Sequence, residues 1–111
     1  MAESVCESGA QLIEGPAGPL ELRLDYSAGC PAGKPIVIIC HPHPLYGGSL
    51  TNKVVHMVGR AVNDLGLATA RFNFRGVGKS AGSFDDGRGE TEDLLAVAEW
   101  ARQQHPDSKL W

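Results

Sequence analysis

Apolar and polar residues alternate from Ala10 to Tyr26, through Gln-Leu-Ile-Glu and Leu-Glu-Leu-Arg-Leu-Asp-Tyr, on either side of Gly15-Pro-Ala-Gly-Pro19. A period of two broken by turn residues predicts an antiparallel hairpin. Leu20, Leu22 and Leu24 then share one face and Glu21, Arg23 and Asp25 the other, the pattern of a sheet with one wet side. Ser27-Ala-Gly-Cys-Pro-Ala-Gly-Lys-Pro35 forms a loop. Alternation stops at Ile36-Val-Ile-Ile-Cys40, a continuous apolar run that predicts a parallel strand covered on both faces. That strand runs into His41-Pro-His-Pro-Leu-Tyr-Gly-Gly-Ser49. Sites in open α/β sheets lie beyond the carboxyl ends of such strands, so this loop is where chemistry is expected.

Leu50, Val54, Met57, Val58, Ala61 and Leu65 recur at helical spacing and predict a helix from about Thr51 to Leu65, capped by Ser49 or Thr51 and ended by Gly66. Residues 67–74 alternate again, as a strand that enters a second glycine loop, Arg75-Gly-Val-Gly-Lys-Ser-Ala-Gly82. Glu90, Glu92 and Asp93 precede Leu94, Val97, Ala98 and Ala101 in helical phase, and negative charge in a first turn favours a helix start near Gly89. Pro106 stops that helix, and Leu110-Trp111 look like the opening of another strand. The predicted fold class is α/β: an N-terminal hairpin, then parallel strands joined by crossover helices.

At 111 residues the chain is one small domain, and 42% hydrophobic content is ordinary for a globular fold. The net charge of −3 carries no basic block and no interleaving of cations with aromatics, which argues against a nucleic-acid partner. No stretch approaches membrane-spanning length. Cys6, Cys30 and Cys40 are odd in number and lack ligand-like spacing, which points to free thiols and a cytoplasmic setting.

Three short motifs overlap in the second glycine loop. Gly78-Lys79-Ser80 resembles the end of a phosphate-binding loop, but the leading glycine would fall at Asn73 and no helix starts at Ser80. Gly76-Val-Gly78-Lys-Ser-Ala81, a degenerate dinucleotide fingerprint, lacks the same helix. Gly78-Lys-Ser80-Ala-Gly82 matches the G-x-S-x-G nucleophile elbow, yet an elbow needs strand, serine and helix in immediate succession. Ser80 is therefore a decoy, and Gly76, Gly78 and Gly82 are expected to allow positive φ in a tight loop. In the first loop, His41 and His43 could be half of a metal site, but no third ligand has the spacing, and loop-shaping by Pro42 and Pro44 is the plainer reading. Gly47-Gly48 after Leu45-Tyr46 is either a plain turn or a place where backbone amides converge on an oxyanion.

Taken together, His41-Pro-His-Pro-Leu-Tyr-Gly-Gly-Ser-Leu-Thr-Asn-Lys-Val-Val-His56 and Arg71-Phe-Asn-Phe-Arg-Gly-Val-Gly-Lys-Ser-Ala-Gly-Ser-Phe-Asp85 resemble a bacterial branch of the α/β-hydrolase superfamily, from about Leu20 onward. The resemblance implies an oxyanion loop after the third sheet strand, with the amide of Leu45 as donor and Tyr46 as the nearest alternative. His43, Gly47, Gly48 and Asn52 would line the pocket. It further implies a small-molecule ester or acyl substrate, no cofactor, no metal and no role for Ser80 in catalysis. In that family the nucleophile elbow follows the fifth strand, which residues 110–111 would begin, and the Asp and His of the triad come later. Residues 1–111 are thus expected to form a single truncated hydrolase-like domain, inactive alone and marginal in stability. The 36–40 strand would present an open edge that invites self-association. Two rivals stand beside this: a metal-dependent hydrolase using His41 and His43, and a non-catalytic module whose sheet edge binds a partner.

Overall fold

A computed structural model describes residues 8–27, 33–41 and 49–111. Strand β1 (Gly9–Gly15) and strand β2 (Gly18–Asp25) form the expected hairpin, pairing Ile13 with Leu20 and Leu12 with Glu21 across the Pro16-Ala17 turn. Strand β3 (Ile36–Ile39) leads to helix α1 (Lys53–Asp64), then to strand β4 (Ala68–Phe72) and helix α2 (Arg88–Gln104). The sheet order is β1-β2-β4-β3, antiparallel except for the parallel pair of β3 and β4 that α1 connects.

One face of this sheet is the core. Leu20, Leu22 and Leu24 lie with Ile13, Ile36, Ala68, Ala70 and Phe72 beneath Val97 of α2, and Leu94 and Trp100 pack against them. Leu20, Leu22, Phe72 and Val97 are fully buried, and each contributes about 1.5–3 kcal/mol relative to an exposed side chain. The other face of β4 is also buried but polar, with Thr69 and Arg71, and Asn73 just past the strand continues it. Alternation in 67–74 therefore separates an apolar face from a hydrogen-bonded one, as suits a strand in the middle of a sheet.

Helix α1 departs from expectation at its start. Ser49 and Thr51 hydroxyls bond each other at 2.8 Å within a turn closed by the Asn52 amide on the Ser49 carbonyl, so neither is free to cap. Asn52 takes that role, its Oδ1 accepting from the amides of Val54 (2.9 Å) and Val55 (3.4 Å). The helix ends as expected, at Leu65 followed by Gly66 with φ of 86°. Helix α2 stops at Gln104, two residues before Pro106. Beyond it the chain returns to the sheet: Ile36 donates to Lys109, Trp111 to Ile36 and Ile38 to Trp111, so 109–111 begin a parallel strand against β3, as expected.

Candidate functional site

The described residues on either side of the candidate oxyanion donors, His41 and Leu50, are both held by residues 71–74, at and just past the end of β4. On the entering side, His41 is buried, stacks edge-on against Phe74 at 4.9 Å, and accepts the Phe74 amide through Nε2 at 3.0 Å. On the leaving side, the Leu50 amide donates to Asn73 Oδ1 at 2.7 Å and the Leu50 carbonyl accepts from Arg71 at 3.0 Å. Residues 71–74 thus hold both His41 and Leu50. His43, Leu45, Tyr46, Gly47 and Gly48 lie outside the described residues. Asn52, the remaining pocket candidate, is the α1 cap.

Asn73 and Glu21 extend the same network to the second loop. Asn73 Nδ2 donates to Glu21 Oε1 at 2.7 Å, and that oxygen also accepts the Lys79 amide. Ser80 is buried, its hydroxyl donating to the Asn73 carbonyl at 2.6 Å and accepting the Glu21 amide at 2.8 Å. A serine spent on two backbone groups, with the next helix starting only at Arg88, is structural and not an elbow nucleophile. Gly76, Gly78 and Gly82 have φ of 79°, 54° and 89°, the positive values expected of a tight loop.

Two carboxylates hold the far side of the loop. Asp93, fully buried, accepts from the Arg75 amide (2.9 Å), Nε (3.1 Å) and a terminal nitrogen (2.9 Å), and Arg75 also donates to the Gly89 carbonyl. Hydrogen bonding to Asp93 raises the Arg75 pKa, against the lowering effect of burial. Burial works to raise the Glu90 pKa, but it lies below the usual carboxylate value because amide donors at Asp85 and Gly87, its own backbone and Arg75 outweigh that effect. The sequence marks Glu90 and Asp93 as first-turn acids; their long-range partners emerge only from the fold.

A groove of about 600 Å³ opens between α1 and the polar face of the hairpin. Its charges are largely matched internally, with Arg71 and Arg23 both on Asp25. Arg71 Nε is the buried side-chain nitrogen left without a partner among the described residues. None of the described residues form a group of three or more His, Cys, Asp or Glu able to hold a metal, and the Nε2 position of His41 is already engaged by Phe74. Cys40 is a free thiol, and Cys6 and Cys30 lie outside the described residues. No helix among the described residues is long and apolar enough to cross a membrane.

A hairpin leading into parallel strands, with a helix on each side and a glycine loop following β4, is the N-terminal part of an α/β-hydrolase fold. Comparison with known proteins agrees. An α/β serine hydrolase without lid from Xanthomonas campestris is 49% identical, with a TM-score of 0.86, over 95% of this chain and 49% of its own. An α/β serine hydrolase homologue from Coxiella burnetii is 46% identical, with a TM-score of 0.90, over 98% of this chain and 52% of its own. An uncharacterised protein of Rickettsia prowazekii is 42% identical over 97 residues, 87% of this chain and 40% of that protein. No family model matches. The chain belongs to the α/β-hydrolase superfamily and spans about half the length of the relatives it matches.

Proposed function

We propose that these residues supply the oxyanion-binding half of a serine hydrolase acting on the ester or related acyl bond of a small molecule. The carrying observation is the pair of anchors just past β4, Asn73 on Leu50 and Phe74 on His41, in a chain nearly half identical to α/β serine hydrolases. In this reading the Leu45 amide donates to the oxyanion of the tetrahedral intermediate, with Tyr46 as its neighbour. His43, Gly47, Gly48 and Asn52 border the acyl pocket. Preorganised amides are effective because they need no reorganisation as charge develops. Serine nucleophile, general base and orienting acid come from outside residues 1–111, so these residues alone are a truncated domain without activity. The setting is cytoplasmic, in keeping with an odd number of cysteines, and the β3 edge promotes self-association wherever nothing else pairs with it.

The test uses the complete hydrolase domain. Leu45→Pro deletes the amide donor while Leu45→Ala keeps it. Proline is expected to lower kcat by about 10²–10³ with little change in KM, and alanine to leave kcat within a few-fold. Equal losses in the two variants would show that the amide is not the donor.

A further inference from the structure

The groove between α1 and the polar face of β2 carries three guanidiniums, Arg23, Arg60 and Arg71, against two carboxylates, Glu21 and Asp25. Among these groups one positive charge is left over. Neither carboxylate absorbs it. Asp25 is shared, since Arg23 reaches it through Nε at 3.3 Å to each oxygen and Arg71 through a terminal nitrogen at 3.1 Å. Glu21 is spent on neutral donors, the Asn73 side-chain amide and the Lys79 backbone amide.

Arg23 therefore keeps both terminal nitrogens, and Arg60 its whole fork, without a hydrogen-bond acceptor among the described residues. These two stand on opposite walls, Arg23 on β2 and Arg60 on α1. Arg71, on β4 beside β2, is only 5% exposed, and its Nε has no partner among the described residues. A buried cation that shares its counter-ion favours an anion brought near it, because protein screens charge less than water does. Guanidinium forks match the planar, two-oxygen geometry of a carboxylate. The charge balance selects among oxyanions: a single carboxylate closes it, whereas a dianionic phosphate overshoots. Ala10 and Leu50 also line the groove and leave an apolar wall for a short alkyl body.

We infer that this groove binds a small aliphatic monocarboxylate, its head held between Arg23 and Arg60 above the buried charge of Arg71. None of the three arginines is a candidate oxyanion donor or acyl-pocket residue, so the groove is a second site and its occupancy does not depend on hydrolysis.

Isothermal titration of the complete natural protein with butyrate is the test. Saturable binding at about millimolar concentration is expected, as suits a ligand of few atoms. Arg23→Gln with Arg60→Gln should weaken it by about tenfold or more, since each lost fork takes charge-assisted hydrogen bonds with it. Arg60→Lys, which keeps the charge and loses the fork, should fall between parent and double variant. Arg102→Gln, exposed on α2, should leave binding unchanged. Arg60 is exposed and Arg23 half-exposed, and parental circular dichroism verifies that the variants fold. Absence of saturable binding overturns the inference. So does binding that the double variant leaves intact, which would place butyrate elsewhere, in the acyl pocket for instance. Inorganic phosphate binding more tightly than butyrate would contradict the charge balance and overturn the choice of a monocarboxylate.

Discussion

Asp93→Asn is the substitution with the largest effect legible in the structure. The carboxylate is fully buried and receives three hydrogen bonds from Arg75, one from its amide and two from its guanidinium. Asparagine keeps the shape, removes the charge and turns one acceptor into a donor facing another donor. Breaking a buried pair on one side costs about 3–5 kcal/mol, because the remaining charge loses its partner while still partly out of water. The Arg75 side chain is 12% exposed, which allows water some access and favours the lower end. With a urea m-value of about 2 kcal/mol/M, a loss of about 3 kcal/mol moves the unfolding midpoint down by about 1.5 M. Arg102→Ala is the internal control. Its pair with Glu99 is exposed on both sides, and such pairs are worth about 0.3–0.5 kcal/mol. Urea unfolding of parent and variants by circular dichroism supplies the numbers. A midpoint shift for Asp93→Asn no larger than that for Arg102→Ala would refute the claim that this pair holds the glycine loop to α2.

Ser80→Ala should destabilise by about 1–3 kcal/mol, since it strips the Glu21 amide of its acceptor and the Asn73 carbonyl of a donor, while leaving fluorophosphonate labelling of the complete domain unchanged. Gly76→Ala should cost more than the 1–2 kcal/mol of a left-handed backbone alone, because its Cβ would sit 3.1 Å from the Gly82 carbonyl oxygen and the Ser83 Cα, which thermal melts would register. His105 has a pKa lowered by burial and lies 3.0 Å from the Tyr26 hydroxyl. Its neutral form is favoured in the fold, so the stability it contributes is present above the ordinary imidazole value of about 6.5 and is lost as pH falls below it. Glu90, lowered in the fold, adds a second loss below the usual carboxylate range. Stability measured from pH 8 down to below the carboxylate range should fall in both regions, and His105→Phe should remove the upper one.

Much of the fold was readable from periodicity. The hairpin announces itself by strict alternation around Gly15-Pro-Ala-Gly-Pro19, and β3 by an unbroken apolar run. Ser80 could be dismissed from sequence because the glycine loop that follows β4 is too long to be an elbow. Other features were not readable, some because they turn on which of several adjacent side chains bond each other and some because they depend on contacts across the chain. The cap of α1 passed to Asn52 once Ser49 and Thr51 bonded each other. Asp93 looked like a helix-dipole residue until the fold brought Arg75 to it. Asn73 and Arg71 carry no local signal of a site, yet they hold Leu50 at the loop's exit. The apolar spacing of α1 gave the helix correctly but not the fact that most of the stripe faces outward among the described residues.

The most direct measurement is fluorophosphonate labelling of the complete natural protein, followed by intact mass and mapping of the labelled peptide. The account predicts a single labelled serine outside residues 1–111, in a chain of about twice this length, the size of its matched relatives. A label on Ser80, or hydrolysis by a natural protein that carries no labelled serine, would contradict it.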